Sequence, residues 1–162
     1  AKTGMLRSAH MLGNEEEIIF AATDLLADTK LAPELSNEAH YYRAKAYLDA
    51  GKTDGAMEDL KVLAKDTRNV YGAEAKYKVA QIYFDGGQTD KAEQEVLNYI
   101  EVSTPHTYWL ARSFVLLADV YMKLGRNLDA KQYLLSLKQN YQADDDIAGM
   151  IESRLEKLKT EN

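Results

Sequence analysis

The side chains that could do chemistry are few and scattered in this sequence. Its three histidines, His10, His40 and His106, lie far apart, and none belongs to a repeated spacing of metal-ligating residues. The chain has no cysteine, which excludes disulfides, thiolate zinc sites and cysteine nucleophiles. We therefore expect the histidines to be surface or groove residues, and we predict no catalytic, cofactor-binding or metal-binding residue.

The acidic runs favour helix capping over catalysis or metal binding. Asp144–Asp146 lacks the alternate spacing, central glycine and terminal glutamate of a calcium loop, and it stands where a last helix would begin. Glu15–Glu17 is likewise typical of a solvated first turn. Asp49 and Asp85 could in principle act as a general acid and a general base. Carboxylate pairs of this kind occur on any acidic helical protein, however, so this pair is weak evidence for catalysis. No phosphate loop or nucleophile elbow is present.

Composition limits the fold and the partners. The chain has 162 residues, of which 46% are hydrophobic and 28% charged, so it is expected to form one globular domain. Two prolines and nine glycines are too few for the many turns of an all-β protein, which favours an all-α fold. A net charge of -6 does not attract phosphate backbones, so nucleic acid is not an expected partner. No apolar run is long enough to insert into a membrane, and the start without Met predicts a fragment of a longer chain.

A repeated pattern organises these residues. From Ala44 the sequence places a small residue, an aromatic, a glycine, a second small residue and two apolar residues in a fixed order, and the order returns after 36 and after a further 38 residues. A partial copy precedes them around Gly13. The three full copies are Ala44, Tyr47, Gly51, Ala56, Leu60 and Leu63; Ala80, Tyr83, Gly87, Ala92, Val96 and Tyr99; and Ala118, Tyr121, Gly125, Ala130, Leu134 and Leu137.

Each copy predicts a helix, a turn and a second helix. The glycine supplies the left-handed residue after the first helix, and Thr53-Asp54 and Thr89-Asp90 are expected to cap the second helix with their side chains. The small residues, such as Ala44 opposite Ala56, let the paired helices approach closely.

This pattern resembles the tetratricopeptide repeat over nearly the whole chain. The resemblance implies an all-α, right-handed α-α superhelix, a solenoid of about four helix-turn-helix units that binds a peptide or protein segment in its concave groove. The repeats exceed the usual 34 residues, and the extra residues fall at 67–72 and 103–108. We expect a single domain over 1–162, divided into a partial first repeat (1–35), three repeats (36–71, 72–108 and 109–143) and a capping helix (144–160).

The capping helix closes the array. Its apolar residues Ile147, Ile151, Leu155 and Leu158 share one face, as a helix that shields the last repeat from water requires. We expect truncation after Tyr141 to expose the surface that this helix covers.

In this family's geometry the first helix of each repeat lines the groove. The residues predicted from the register to line the groove are Tyr41, Lys45, Leu48, Asp49, Tyr77, Gln81, Phe84, Asp85, Arg112, Val115, Asp119, Met122 and Lys123, and Arg7, His10 and Met11 would continue it. Tyr77 and Phe84 could instead belong to the core. Trp109 either packs between repeats or anchors a partner. The paired asparagines of the family's chaperone-tail clamp are missing, so that ligand is not expected.

The chain is also similar to C-terminal repeats of large uncharacterised tetratricopeptide proteins of gram-negative gut bacteria, through 112–121 and 144–151, and in repeat style to repeat proteins of the cell envelope. The resemblance implies a non-catalytic protein-interaction scaffold, with a periplasmic or outer-membrane-associated location and a role in envelope assembly. The alternatives are a cytoplasmic location, a regulatory or substrate-presenting domain of a larger enzyme, and a self-associating spacer. The sequence does not set the oligomeric state.

Overall fold

A computed structural model describes residues 1–102 and 104–160 of the chain, and in these residues it contains nine α-helices and no β-strand. This confirms the predicted all-α class. Ser103, in the second predicted linker, and residues 161–162 of the predicted domain lie outside the described residues. The helices are α1 (Lys2–Leu12), α2 (Glu15–Leu26), α3 (Pro33–Asp49), α4 (Thr53–Leu63), α5 (Val70–Asp85), α6 (Thr89–Glu101), α7 (Thr107–Lys123), α8 (Asn127–Asn140) and α9 (Ile147–Thr160).

Helices α1 to α8 form four pairs, and α9 follows as a single helix. The first helices α3, α5 and α7 begin two or three residues before the predicted repeat boundaries at 36, 72 and 109. Pro33 explains the early start of α3, because proline fits the first turn of a helix, where its missing N–H has no helical partner.

The turn inside each pair is set by one glycine with positive φ. Gly13, Gly51, Gly87 and Gly125 have φ values of 70°, 74°, 79° and 76°, which confirms the predicted helix stops. After Gly51, the Lys52 N–H donates to the Tyr47 carbonyl at 2.7 Å, and the Gly51 N–H donates to the Leu48 carbonyl at 3.1 Å. This is the Schellman arrangement, and it recurs after Gly87 and Gly125.

The predicted side-chain caps of the second helices were wrong. Helices α4 and α6 begin at Thr53 and Thr89 themselves, and the residues before them, Lys52 and Gln88, make no capping hydrogen bond from their side chains. The Schellman turn places the threonines one position too late to act as caps. Among the second helices, α2 has a side-chain cap, because Asn14 accepts a hydrogen bond from the Glu17 N–H at 3.1 Å. Glu15–Glu17 therefore occupies the first turn, as predicted.

The internal contacts of the chain define two compact halves, Ala1–Lys76 and the residues from Tyr77 onward. In the N-terminal half, apolar residues of α1, α2 and α3 form one core, with Leu6, Ile18 and Leu25 almost fully buried. The outer face of the first pair is different. It is apolar and exposed, with Met5, Leu12 and Phe20 each more than half exposed around a cavity of about 770 Å³.

In the C-terminal half, the core is built from α5 to α9. The small residues predicted to lie between paired helices are buried here, as Ala80, Ala92, Ala118 and Ala130 are each at most 1% exposed. Ile147, Ile151 and Leu158 of α9 are buried in the same cluster. The capping helix therefore packs on the last repeat as predicted, and Asp145 caps its start by accepting a hydrogen bond from the Ile147 N–H at 2.9 Å.

Gly72 is required by close packing within the N-terminal half. A Cβ atom at this position would overlap the carbonyl oxygen of Asp66 and lie 2.6 Å from that of Leu63. We expect Gly72→Ala to lower the free energy of unfolding by about 2–3 kcal/mol, because backbone must move to accept the methyl group. Urea denaturation measures this change. Gly149→Ala is the matched control, since a Cβ there meets nothing within 4 Å inside α9 and should be neutral or stabilising by about 0.5–1 kcal/mol. Equal stability of the two variants would contradict the prediction.

Candidate protein-binding surface

In the N-terminal half, the first helices bring together four aromatic rings, which we call the aromatic cluster: His10, Tyr41, Tyr42 and Tyr71. His10 stacks on Tyr42 with ring centres 4.2 Å apart, and Tyr41 lies 5.7 Å from Tyr42 and 4.7 Å from Tyr71. Lys45 stands over the Tyr41 ring at 5.3 Å. The structure thus joins the predicted residues Tyr41, Lys45 and His10. Tyr42 and Tyr71 were missed, because they fall outside the register used to choose groove residues.

Charged groups border the aromatic cluster. The Tyr41 hydroxyl donates to both carboxylate oxygens of Glu74 at 3.1 Å, and burial together with this carboxylate raises the pKa of Tyr41 above its ordinary value. Arg7 donates to the two oxygens of Glu38 at 2.8 and 2.9 Å, and these hydrogen bonds lower the pKa of Glu38. The cluster therefore offers ring faces beside charges of both signs, which suits binding to protein more than proton transfer.

His40 is placed differently from the sequence expectation. It is half-buried, and its Nδ1 lies 2.7 Å from Oδ1 of Asp59, a carboxylate that is 2% exposed. Arg43 donates to the same carboxylate from Nε at 2.9 Å and from Nη2 at 2.7 Å. These three side chains connect α3 to α4 inside one repeat, so their role is in packing. The other predicted residues of α3, Leu48 and Asp49, are half-buried and exposed, respectively.

In the C-terminal half, Tyr77 belongs to the core, one of the two alternatives for this residue. It is 7% exposed, its hydroxyl donates to Gln81 at 2.8 Å, and it accepts a hydrogen bond from Arg112 at 3.2 Å. The Arg112 guanidinium lies over the Tyr77 ring at 4.9 Å. Trp109 is half-buried and packs against Tyr77 at 5.7 Å, which is the packing role considered for it. Arg112 and Gln81 thus serve mainly to hold Tyr77.

Val115, predicted from the register to lie on the groove face, is only 3% exposed and belongs to the core instead. The position faces inward because α7 is covered on two sides, by its partner α8 and by α9. Gln81 donates to Asp85 at 2.8 Å, and Asp85 is exposed at the end of α5.

Four predicted residues come together in a pocket of about 610 Å³, which we call the cationic pocket. Its floor is apolar and its walls carry cations. Arg154 holds Asp119 through two hydrogen bonds, from Nε at 2.7 Å and Nη2 at 2.9 Å. The lining residues are Phe84, Asp119, Met122, Lys123, Ser153, Arg154 and Lys157.

Sequence reasoning missed the three pocket residues of α9, because this helix was interpreted only as a cap. The signal that could have found them is spacing. Arg154 follows Asp119 by 35 residues, as Arg112 follows its partner Tyr77, so α9 stands in the position of a further first helix.

The described residues hold no group of three histidine, aspartate or glutamate side chains that could bind a metal ion. Nor does any described helix combine the length and apolar character that crossing a bilayer requires.

Family models of the tetratricopeptide repeat match residues 38–66 and 111–140. These stretches fall on the helix pairs α3–α4 and α7–α8. The chain contains tetratricopeptide repeats. Repeats of this kind support a role as a protein-interaction scaffold and suggest protein partners. No curated protein is significantly similar to it in sequence.

Solved structures show that the tetratricopeptide fold extends over the whole chain. The crystal structure of MamA is 20% identical with a TM-score of 0.63, and the match covers 97% of this chain and 96% of that one. Nearly identical TPR-like repeats from a putative kinesin light chain of Podosopora anserina are 15% identical with a TM-score of 0.59, covering 98% of this chain and 92% of theirs. A variant of those repeats with one substitution has a TM-score of 0.60. Likeness at this level of identity establishes the fold.

Proposed function

We propose that this tetratricopeptide protein is a non-catalytic scaffold that binds a protein segment on the faces of its first helices. The observation that carries the proposal is the cationic pocket, where side chains of α5, α7 and α9 converge on one open space. The aromatic cluster supports it, since tyrosine rings bury much area while their hydroxyls remain available for hydrogen bonds.

Site-specific photocrosslinking in the source cell tests this proposal. A benzophenone amino acid is placed at Lys45, beside the aromatic cluster, and in a second variant at Lys123, in the cationic pocket. Matched controls carry it at Glu58 on α4 and Lys131 on α8, which are exposed positions on second helices. We expect a crosslinked protein from the first-helix positions and none from the controls.

Tyr41→Ala should weaken the crosslink from Lys45, because it removes the ring at the centre of the aromatic cluster. Tyr41 is a better choice than Tyr77, whose buried ring supports the fold. Equal crosslinking from Glu58 and Lys131 would show that the second helices carry the binding surface and would overturn the proposal.

We also propose a periplasmic or outer-membrane-associated location, with a role in envelope assembly. The support is the similarity of repeat style to envelope proteins. Fractionation of the crosslinked cells tests this part separately: recovery of the crosslinked species in the cytosol would overturn the location without affecting the assignment of the binding face.

A further inference from the structure

The cationic pocket differs in charge from the chain that contains it. Three cations, Lys123, Arg154 and Lys157, line it together with a single carboxylate, Asp119, so its local charge is positive. The whole chain carries a net charge of -6. Because Asp119 accepts both of its close hydrogen bonds from Arg154, its negative charge is already matched.

The two lysines are the unmatched charges of the cationic pocket. Both are exposed, Lys123 at the end of α7 and Lys157 in the last turn of α9. Over the described ranges, neither ammonium group has an ion-pair partner within 4 Å. Exposed lysines of this kind lose little hydration when they meet a carboxylate at the rim of an interface, so they steer and orient an acidic partner.

The floor of the cationic pocket adds an apolar requirement. Phe84 and Met122 are half-buried, and both pack against the core of the C-terminal half. Their positions are therefore fixed by the fold, and an apolar side chain placed between them would bury further area. Methionine adapts its shape to different apolar partners.

Resting on the proposed scaffold function, we propose that the cationic pocket binds a protein segment in which an apolar side chain is flanked by carboxylates. The apolar side chain occupies the floor against Phe84 and Met122, and the carboxylates meet Lys123 and Lys157. Arg154 keeps its place in the wall because Asp119 holds its guanidinium from one side. A nucleic acid does not fit this description, because the net negative charge of the chain opposes a long polyanion.

Three short peptides, followed by NMR shifts of backbone amides, test the proposal on the full chain. The first is acetylated and amidated and carries the sequence Ser-Glu-Leu-Glu-Ser. In the second both glutamates are glutamine. The third is acetylated, has Ser-Gln-Leu at a free C-terminus, and so offers only a terminal carboxylate. We expect the first peptide to shift amides of α7 and α9 and to bind about tenfold more tightly than the second, as two ion pairs of moderate strength require. The third separates side-chain from terminal carboxylates as the source of the recognised charge.

A charge-matched pair of variants isolates the site. Lys123→Gln with Lys157→Gln should weaken binding of the first peptide about tenfold, and higher salt should remove most of the remaining difference between peptides. Lys91→Gln with Lys131→Gln makes the same change of net charge on the second helices α6 and α8 and should leave binding unchanged.

Equal binding of the glutamate and glutamine peptides would overturn this inference, as would equal losses in the two double variants or no shifts at millimolar peptide. Those outcomes leave the photocrosslinking result intact. The scaffold proposal itself fails if the photocrosslinker yields no product at both Lys45 and Lys123. The peptide experiment and the photocrosslinking experiment therefore distinguish failure of this inference from failure of the proposed function.

Discussion

A chain that ends at Tyr141 is expected to unfold at a much lower temperature than the full chain and to be less soluble. The truncation removes α9, in which Ile147, Ile151 and Leu158 are 0%, 2% and 4% exposed. Burying three aliphatic side chains contributes roughly 5–9 kcal/mol at about 1.5–3 kcal/mol each. The truncation also exposes the apolar residues of α7 and α8 that α9 covers, and this exposure favours association between copies of the chain. Thermal melting followed by circular dichroism, with light scattering, measures both effects.

Two single substitutions serve as controls for the truncation. Ile151→Ala in the full chain should itself cost about 2–5 kcal/mol, because it leaves a cavity in the core of the C-terminal half. Glu156→Ala, on the exposed side of the same helix, should leave the melting temperature nearly unchanged. An unchanged melt of the truncated chain would show that α9 does not dock on the last repeat.

Asp59→Ala is expected to destabilise the protein by about 3–5 kcal/mol at pH 7. The substitution removes the buried carboxylate that His40 and Arg43 both contact, and it leaves the Arg43 guanidinium without its counter-charge. Arg43 also donates to Thr23 at 3.0 Å, so the loss extends from α4 to the preceding pair. Urea denaturation measures the change. Asp129→Ala, which breaks an exposed pair with Arg126, is the control and should have a far smaller effect.

The contribution of Asp59 should disappear in acid. Burial raises the pKa of Asp59, but the hydrogen bonds from His40 and Arg43 outweigh burial and hold that pKa below the ordinary value. A carboxylate with a lowered pKa stabilises the folded state above its unfolded pKa of about 4, and this contribution is lost as the pH falls through the folded pKa. The stability difference between the native chain and Asp59→Asn should therefore narrow below about pH 4. A difference that stays constant down to about pH 2 would contradict this interpretation.

The fold could be predicted from the sequence because its determinants are local and repeated. Each turn needs one residue that tolerates positive φ, and glycine at 51, 87 and 125 identifies all three full turns. Small residues such as Ala56 and Ala92 mark the close approach of paired helices, because a larger side chain would separate the two helices. These signals depend only on residue type and spacing, and both can be read directly from the sequence.

The surface was predicted less well, because it depends on which side chains meet across helices. The register included Phe84, Asp119, Met122 and Lys123, which line one pocket in the structure, but it could not decide whether Tyr77 belongs to the groove or, as observed, to the core beneath Arg112. That choice is set by side-chain rotamers and by neighbours 35 residues away, and neither is encoded in a local pattern. The predicted threonine caps failed similarly, since a shift of one residue in the helix start removes a cap altogether.

Hydrogen bonds between successive first helices join residues of similar separation throughout the described chain. Arg7 meets Glu38 after 31 residues, Tyr41 meets Glu74 after 33, and Asp119 meets Arg154 after 35. Such short loops cost little entropy to close, and a low mean separation of contacting residues is associated with folding in milliseconds or less. Such a polypeptide can fold progressively during synthesis, because the residues that contact one another are close in sequence and are synthesised soon after one another.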